Sequence, residues 1–137
     1  MTLLEPWPVR VYYEDTDAVG VVYYARYLQF AERARTEMLR AGGLDATQLR
    51  MAHDLAFVVS EVAVKFISPA RLDDLLHIHT NLVSIKKVQC RLRQRIFKDD
   101  QCLVDMHVRL AMIDKDGRPK PLPQDVLAFF HNLPNET

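Results

Sequence analysis

The reading of this chain turns on Tyr12-Tyr13-Glu14-Asp15-Thr16-Asp17-Ala18-Val19-Gly20-Val21-Val22-Tyr23-Tyr24-Ala25-Arg26-Tyr27. A strand runs into a carboxylate-rich turn, the turn contains Gly20, and an amphipathic helix starts straight after it. This places a carboxylate beside the N-terminal end of a helix, where the first backbone N–H groups have no intrahelical partner and favour negative charge. A carboxylate facing an anion-stabilising site is suited to attack on a carbonyl carbon.

Downstream of that turn the helix runs from about Tyr23 to Arg40. Tyr24, Tyr27, Leu28, Ala31, Ala34 and Met38 recur at spacings of three and four and form one apolar stripe. Arg26, Glu32, Arg33, Glu37 and Arg40 lie mostly off it, with Arg33 and Glu37 as an i,i+4 pair. Gly42-Gly43 ends the helix, and Asp45 is placed to cap a short second helix from Ala46 to about His53. Upstream, Val9–Tyr13 reads as the first strand. Four more strands follow the helices: Phe57–Phe66, Leu75 to about Lys87, Val88–Lys98 and Cys102–Ile113. A short terminal helix is expected from Gln124 to about Leu133.

The last two long strands alternate. Val104, Met106, Val108, Leu110 and Met112 share one face of the fifth strand, with Asp105, His107 and Arg109 on the other. The fourth carries Arg91, Arg93 and Arg95 on one face. Matching faces across the hairpin sets the arginine row beside Asp105 and His107. The order is therefore strand, long helix, then four strands with short connections: an α+β chain in which one helix covers the apolar face of an antiparallel sheet. The whole of 1–137 is read as one domain. Such a layer leaves sheet edges bare, and edge-to-edge pairing of two copies is the natural remedy.

Composition narrows the function classes. Of 137 residues, 18 are Lys or Arg and 18 are Asp or Glu, a formal net charge of +0, so no bulk field draws nucleic acid or an anionic membrane. Cys90 and Cys102 fall on apolar strand positions and are read as reduced core residues, with no zinc or dithiol spacing. The first residues lack the basic and long apolar segments of a signal peptide, and no stretch approaches the ~20 apolar residues of a membrane span. A cytoplasmic chain, with membrane contact at most indirect, is expected.

Asp17 is the lead candidate for chemistry, as general base toward water or nucleophile toward an acyl carbon. N–H groups at the helix start would hold the carbonyl oxygen as charge develops, and Gly20 would let the backbone approach a ligand closely. On residue type alone, Asp15, Thr16 and Asp17 read more readily as simple turn and cap residues, where Asp and Thr are generally favoured. Tyr24 can donate its hydroxyl to a substrate or simply pack. The arginine row can meet nucleotide phosphates or form a solvated face with cross-strand charge pairs. Lys65, Arg71, Lys86 and Lys87 are weaker candidates of the same kind. His77 and His79 share a strand face without a third ligand, so no metal site is expected.

With these residues placed, the chain resembles the hotdog-fold acyl-CoA thioesterases, most closely the bacterial Tol–Pal-associated members related to 4-hydroxybenzoyl-CoA thioesterase. The resemblance rests on Trp7 through Asp17, Gly20-Val21-Val22-Tyr23, Glu32-Arg33-Ala34-Arg35-Thr36-Glu37, Phe57-Val58-Val59 and Pro69-Ala70-Arg71-Leu72-Asp73-Asp74. It implies a five-stranded antiparallel sheet wrapped around one long central helix. It implies dimers, often paired into homotetramers, with active sites at the dimer interface, and hydrolysis of acyl-CoA thioesters with no cofactor. The catalytic aspartate falls on Asp17 and the oxyanion donor on a backbone N–H around Tyr24. Gly20, Val58, Val59, Ser60 and Arg71 are the candidate substrate-binding residues. Short-chain acyl-CoA is the substrate implied, with acyl carrier protein thioesters as a further partner class.

Two positions depart from the pattern. Many members carry histidine where this chain has Tyr24, and tyrosine can donate a hydrogen bond but is no base near neutral pH, its reference pKa being about 10. A second glycine is common where this chain has Val19. These departures keep a rival open: a non-catalytic scaffold that binds acyl thioesters or acyl carrier protein. A hotdog dehydratase is a weaker third reading, because no histidine stands in the catalytic stretch.

Overall fold

The computed structural model describes residues 5–135. Strand β1 (Trp7–Arg10) leads through a 3-10 turn (Tyr13–Asp15) to helix α1 (Tyr24–Ala41) and helix α2 (Ala46–His53). Strands β2 (Ala56–Phe66), β3 (Leu75–Ile85), β4 (Gln89–Lys98) and β5 (Gln101–Ile113) follow, and helix α3 (Gln124–His131) closes the chain. All strand pairs are antiparallel in the order β1-β3-β4-β5-β2, so β1 and β2 are the edges.

Alternation builds the core. Leu76, Ile78 and Leu82 of β3, Leu92 and Ile96 of β4, and Val104, Met106, Val108, Leu110 and Met112 of β5 are buried on one face, as period-two patterning requires. Helix α1 lays Tyr27, Phe30, Ala31, Ala34 and Met38 on that face. The small Ala31 and Ala34 let the helix axis come close to the sheet. Register shifts at Val59/Glu61, Leu82/Ser84 and Ile96/Phe97 bend the strands around the helix, the local effect of a bulge. At the last of these, Leu103 falls out of phase with its neighbours and is buried beside Val104. Gly43, at φ +74°, ends α1: its N–H donates to Arg40 O and that of Leu44 donates to Leu39 O, the paired bonds of a Schellman stop.

The arginine row lies where the alternation puts it. Arg93 stands opposite His107 and Arg95 opposite Asp105, and Arg93 holds Asp105 through Nε at 2.9 Å and Nη2 at 2.6 Å. That pairing holds the Asp105 carboxyl below its usual range, against a smaller upward push from burial. Cys90 is buried in the sheet, which pushes its thiol up to about 12.

Four local expectations need correction. The first strand stops at Arg10 instead of Tyr13, because Asp15 Oδ2 accepts the Tyr12 N–H at 2.8 Å and winds Tyr13–Asp15 into the 3-10 turn. Tyr24 and Leu28 of the α1 stripe are exposed, since that flank faces a groove along β2 and not the centre of the sheet. Glu37 pairs with Arg40 at 3.1 Å, not with Arg33. Asp45 stands at the N-cap of α2 without making a side-chain cap bond; its carboxylate lies 3.7 Å from Arg40, whose charge draws it away.

Candidate active site

The turn before α1 separates structural from available groups. Asp15 is buried, accepts the Tyr12 N–H, and lies 3.8 Å from Arg26 Nε. Thr16 donates its hydroxyl to Tyr13 O at 2.8 Å. Both are turn and cap residues, as local side-chain bonding favours. Asp17 is different. It is exposed, its Oδ1 accepts the Val19 N–H at 2.9 Å, and its Oδ2 has no partner among the described residues. The carboxylate is therefore held by one oxygen and open at the other.

The backbone around it is tied tightly. Asp17 N–H donates to Val21 O, Gly20 N–H to Asp17 O, and Tyr23 N–H to Asp15 O, while Thr16 and Val22 form a bridge. Gly20 has φ +87°, which an L side chain rarely adopts. The turn thus delivers the chain directly into α1, and the Asp17 charge is felt at the Tyr27 hydroxyl, deeper along the same helix.

Helix α1 starts uncapped: Tyr23 precedes it in extended conformation and makes no side-chain cap bond. Among the described residues the N–H groups of Tyr24 and Ala25 have no acceptor. An 18-residue helix adds its dipole at that end, where roughly half a positive charge accumulates. Free donors, a helix dipole and an open carboxylate are together what a developing oxyanion and its attacking water need.

Aromatic groups frame this end. The Tyr24 ring packs against Tyr23 at 4.8 Å and edge-on to Phe66 at 6.3 Å. Hydrogen bonding and charge repulsion from the Tyr24 hydroxyl hold Tyr23 above its ordinary pKa, with a smaller push from burial. Buried Tyr27 accepts the Ala70 N–H at 2.9 Å and fixes the helix to the turn before β3. Burial raises the Tyr27 pKa, partly offset by that bond. Exposed Tyr13, Val19, Phe66 and Leu72 leave an apolar rim.

The candidate binding residues divide. Gly20 lies in the turn, and Arg71 bridges Val21, so both sit beside Asp17. Val59 opposes Leu110 on the inner face and lines a groove between α1 and β2. Val58 opposes Ala111 on the outer face, where Ser60 accepts a bond from Arg109 Nε at 2.8 Å. Val59 is seven residues from Phe66, about 24 Å along an extended strand. Within one chain, then, Val58, Val59 and Ser60 do not meet Asp17. Among the described residues His77 and His79 belong to no cluster of three or more metal-ligating side chains.

Sequence reading missed two features. One is Ala25, whose importance lies in its backbone and leaves no side-chain signature. The other is Arg35, which reaches the groove and donates to Gln94 Oε1 at 2.8 Å. Its signal was legible: it stands four residues after Ala31 and three before Met38, a charge inside the apolar stripe.

The model of the thioesterase-like superfamily matches residues 11–130. The acyl-CoA thioester hydrolase YbgC of Escherichia coli O6:H1 is 45% identical over 131 residues, covering 94% of this chain and 97% of that protein. The acyl-CoA thioesterase YbgC of Haemophilus influenzae is 45% identical over 129 residues, covering 93% and 94%. A crystal structure of a probable thioesterase from Bartonella henselae superposes with a TM-score of 0.83 at 38% identity, covering 87% of this chain and 98% of that one. The chain belongs to the thioesterase-like superfamily, and its curled antiparallel sheet around α1 is the hotdog fold.

Proposed function

We propose that Asp17 and the free N–H groups at the start of α1 form the catalytic centre of this acyl-CoA thioester hydrolase. The class itself follows from membership and from the closely similar thioester hydrolases above. The observation that carries the residue assignment is the pair of unused N–H donors at Tyr24 and Ala25 beside a carboxylate with one open oxygen.

Asp17 takes a proton from water as that water's oxygen adds to the acyl carbon. The carbonyl oxygen becomes an oxyanion held by the Tyr24 and Ala25 N–H groups. Collapse breaks the carbon–sulfur bond, coenzyme A leaves as thiolate and is protonated, and the acyl group departs as a carboxylic acid. Tyr24 orients the acyl end with its hydroxyl in the position where related chains carry histidine. Gly20 and Arg71 line the approach, and no metal or organic cofactor enters the reaction. Acyl-CoA is the substrate, short-chain acyl groups being favoured, and acyl carrier protein is a further candidate carrier.

This reading includes a second copy of the chain. The edge strand β2 exposes Val58, Val59 and Val62, an unprotected edge of the kind that pairs with another chain. Antiparallel pairing of two β2 strands about Glu61 sets Val58–Ser60 of one copy opposite Val62–Val64 of the other, in the half of the strand that ends at Phe66. The candidate binding residues then reach the Asp17 site from across the interface. A homodimer is the minimal form, and pairing of dimers gives the tetramer.

Thiol release from a panel of acyl-CoAs, for wild type and Asp17→Asn, tests the assignment. The variant keeps the Oδ1 acceptor for Val19 and loses the base, so a loss of about 10²–10⁴-fold is expected. Near-normal turnover by Asp17→Asn refutes the role of Asp17. Tight binding without turnover in wild type supports the scaffold reading instead.

A further inference from the structure

Two cavities run end to end along one flank of α1. The first, about 190 Å³, is lined by Leu28, Glu32, Arg35, Val59, Val62 and Val108. The second, about 330 Å³, continues from Glu32 and Arg35 toward Leu39, Leu49 and Phe57. The shared wall of Glu32, Arg35 and Val59 makes them one groove that runs inward between α1 and β2 from Leu28, about one turn beyond Tyr24.

The groove is lined mostly by apolar side chains, with Gln29, Glu32, Thr36 and Asp45 as its other polar groups and Arg35 as the one cation in its lining. That side chain is held from behind by a fully buried polar residue, since Gln94 is 0% exposed and accepts from Arg35 Nη1 at 2.8 Å. Gln94 is fixed in turn by donating to Ala31 O and Thr80 Oγ1, each at 3.1 Å. Burial lowers the Arg35 pKa, and the Glu32 charge offsets part of that. Among the described residues Arg35 makes no ion pair. Glu32 lines the same groove without bridging to it, and the Asp45 carboxylate at the far end is drawn to Arg40 at 3.7 Å. A largely buried cation ordinarily has an anionic partner. Here a buried network positions the guanidinium while its remaining donors face an open groove.

We infer that Arg35 recognises a carboxylate at the far end of the acyl group, so that among medium-length thioesters, beyond the short-chain ones, the site selects those with an ω-carboxylated acyl chain. This rests on the reading that places the thioester at Asp17 and the α1 N-terminus. Arg35 lies eleven residues beyond Tyr24, about 16 Å along the axis. Helical side chains lean toward the N-terminus, which brings the guanidinium back by about one turn and leaves roughly 10 Å. An extended chain advances ~1.2 Å per bond, taking three bonds per residue rise, so an acyl group of about eight carbons fits. Its methylenes would lie on Leu28, Val62 and Val108, and its carboxylate would accept the free Arg35 donors, a charge-assisted pairing.

Calorimetric titration with two non-hydrolysable thioethers of coenzyme A, octyl and 7-carboxyheptyl, tests the inference on the full chain. Wild type should bind the carboxylated ligand about 10- to 100-fold more tightly. Arg35→Met should erase that ratio while leaving octyl affinity unchanged or improved, and Arg35→Lys should restore part of it. Glu32→Gln should raise the ratio by removing a like charge, an effect that a purely structural Arg35 would not show. This last arm stands even where Arg35→Met fails to fold. A wild-type ratio near one, or a ratio that survives Arg35→Met, overturns the inference. Hydrolysis of short-chain acyl-CoAs measured in parallel reports on the catalytic reading separately: its absence would refute that reading while the binding ratio still decides this one.

Discussion

Replacing Tyr24 by proline isolates the backbone donor on which the proposed mechanism depends. Tyr24 is the first residue of α1, and Tyr23 before it has φ −63° and ψ 131°. Proline suits the first helical position, where its missing N–H is an orphan in any case, and the residue before proline favours the extended region that Tyr23 already occupies. Folding therefore loses no hydrogen bond, and a stiffer unfolded chain adds about 0.4–1 kcal/mol of stability at a compatible site. The chemistry loses an oxyanion donor, worth a factor of about 10²–10³ in kcat, or about 2.7–4 kcal/mol. Tyr24→Ala removes the same side chain but keeps the N–H, so the comparison is between the two variants. Urea unfolding should place them within about 1 kcal/mol of each other. Thiol-release kinetics should show Tyr24→Pro at least about 10²-fold slower in kcat. Equal kcat values in two folded variants would remove the Tyr24 N–H from the mechanism, and an unfolded Tyr24→Pro would contradict the helix start described above.

Other perturbations test other parts of the structure. Gln94→Leu strands the Arg35 donor behind the groove and the Thr80 hydroxyl, and should cost about 1–3 kcal/mol in urea unfolding. Asp105→Asn should weaken the acid limb of the stability curve. The Asp105 carboxyl titrates below its usual range when folded, so its contribution is present above the unfolded value of about 3.9 and is lost as pH falls through the lower folded value; unchanged acid unfolding in the variant would count against the Arg93–Asp105 pairing. Gly42→Ala would drive a Cβ into the Phe129 ring, costing about 1–3 kcal/mol, with thiol release per folded molecule unaltered. Sedimentation at micromolar concentration should find a dimer or tetramer, and a fully active monomer would refute a site shared across the β2 edge.

Most of the fold was legible because its signals are periodic and local. Alternation on β4 and β5 gave both the buried face and the placing of the arginine row beside Asp105 and His107; that Arg93, rather than the directly opposed Arg95, holds Asp105 was not legible. The double glycine marked the end of α1 to within a residue or two. The failures have a common physical origin in long-range competition for a charged or aromatic group. Asp45 is an ideal cap residue by type, yet Arg40 outcompetes the backbone for its carboxylate. Tyr24 and Leu28 fit the helical period, yet exposure depends on how far the sheet extends under that flank. Asp15 and Asp17 are indistinguishable by residue type two positions apart. Only the turn shows that one carboxylate is spent on Tyr12 while the other keeps an open oxygen.

On the proposed mechanism, that division lets a chain lack the usual histidine at the helix start and still keep a base and oxyanion donors. A histidine there would supply a hydrogen bond and a dipole, both of which a tyrosine hydroxyl also supplies. In the proposed mechanism the proton acceptor is Asp17 and the oxyanion donors belong to the backbone, which no side-chain substitution short of proline removes. The departure at Tyr24 therefore bears on how the acyl end is oriented, which is a matter of substrate choice. Arg35, three turns further along the same helix, acts on the other end of the same acyl group. If both act as argued, specificity is written along one face of α1, while the groups that do chemistry sit at its tip. Tyr24→Phe should then shift the ranking of acyl-CoAs by kcat/KM more than it lowers the rate on the best of them. A uniform loss across the panel would instead place the hydroxyl among the groups that stabilise the transition state.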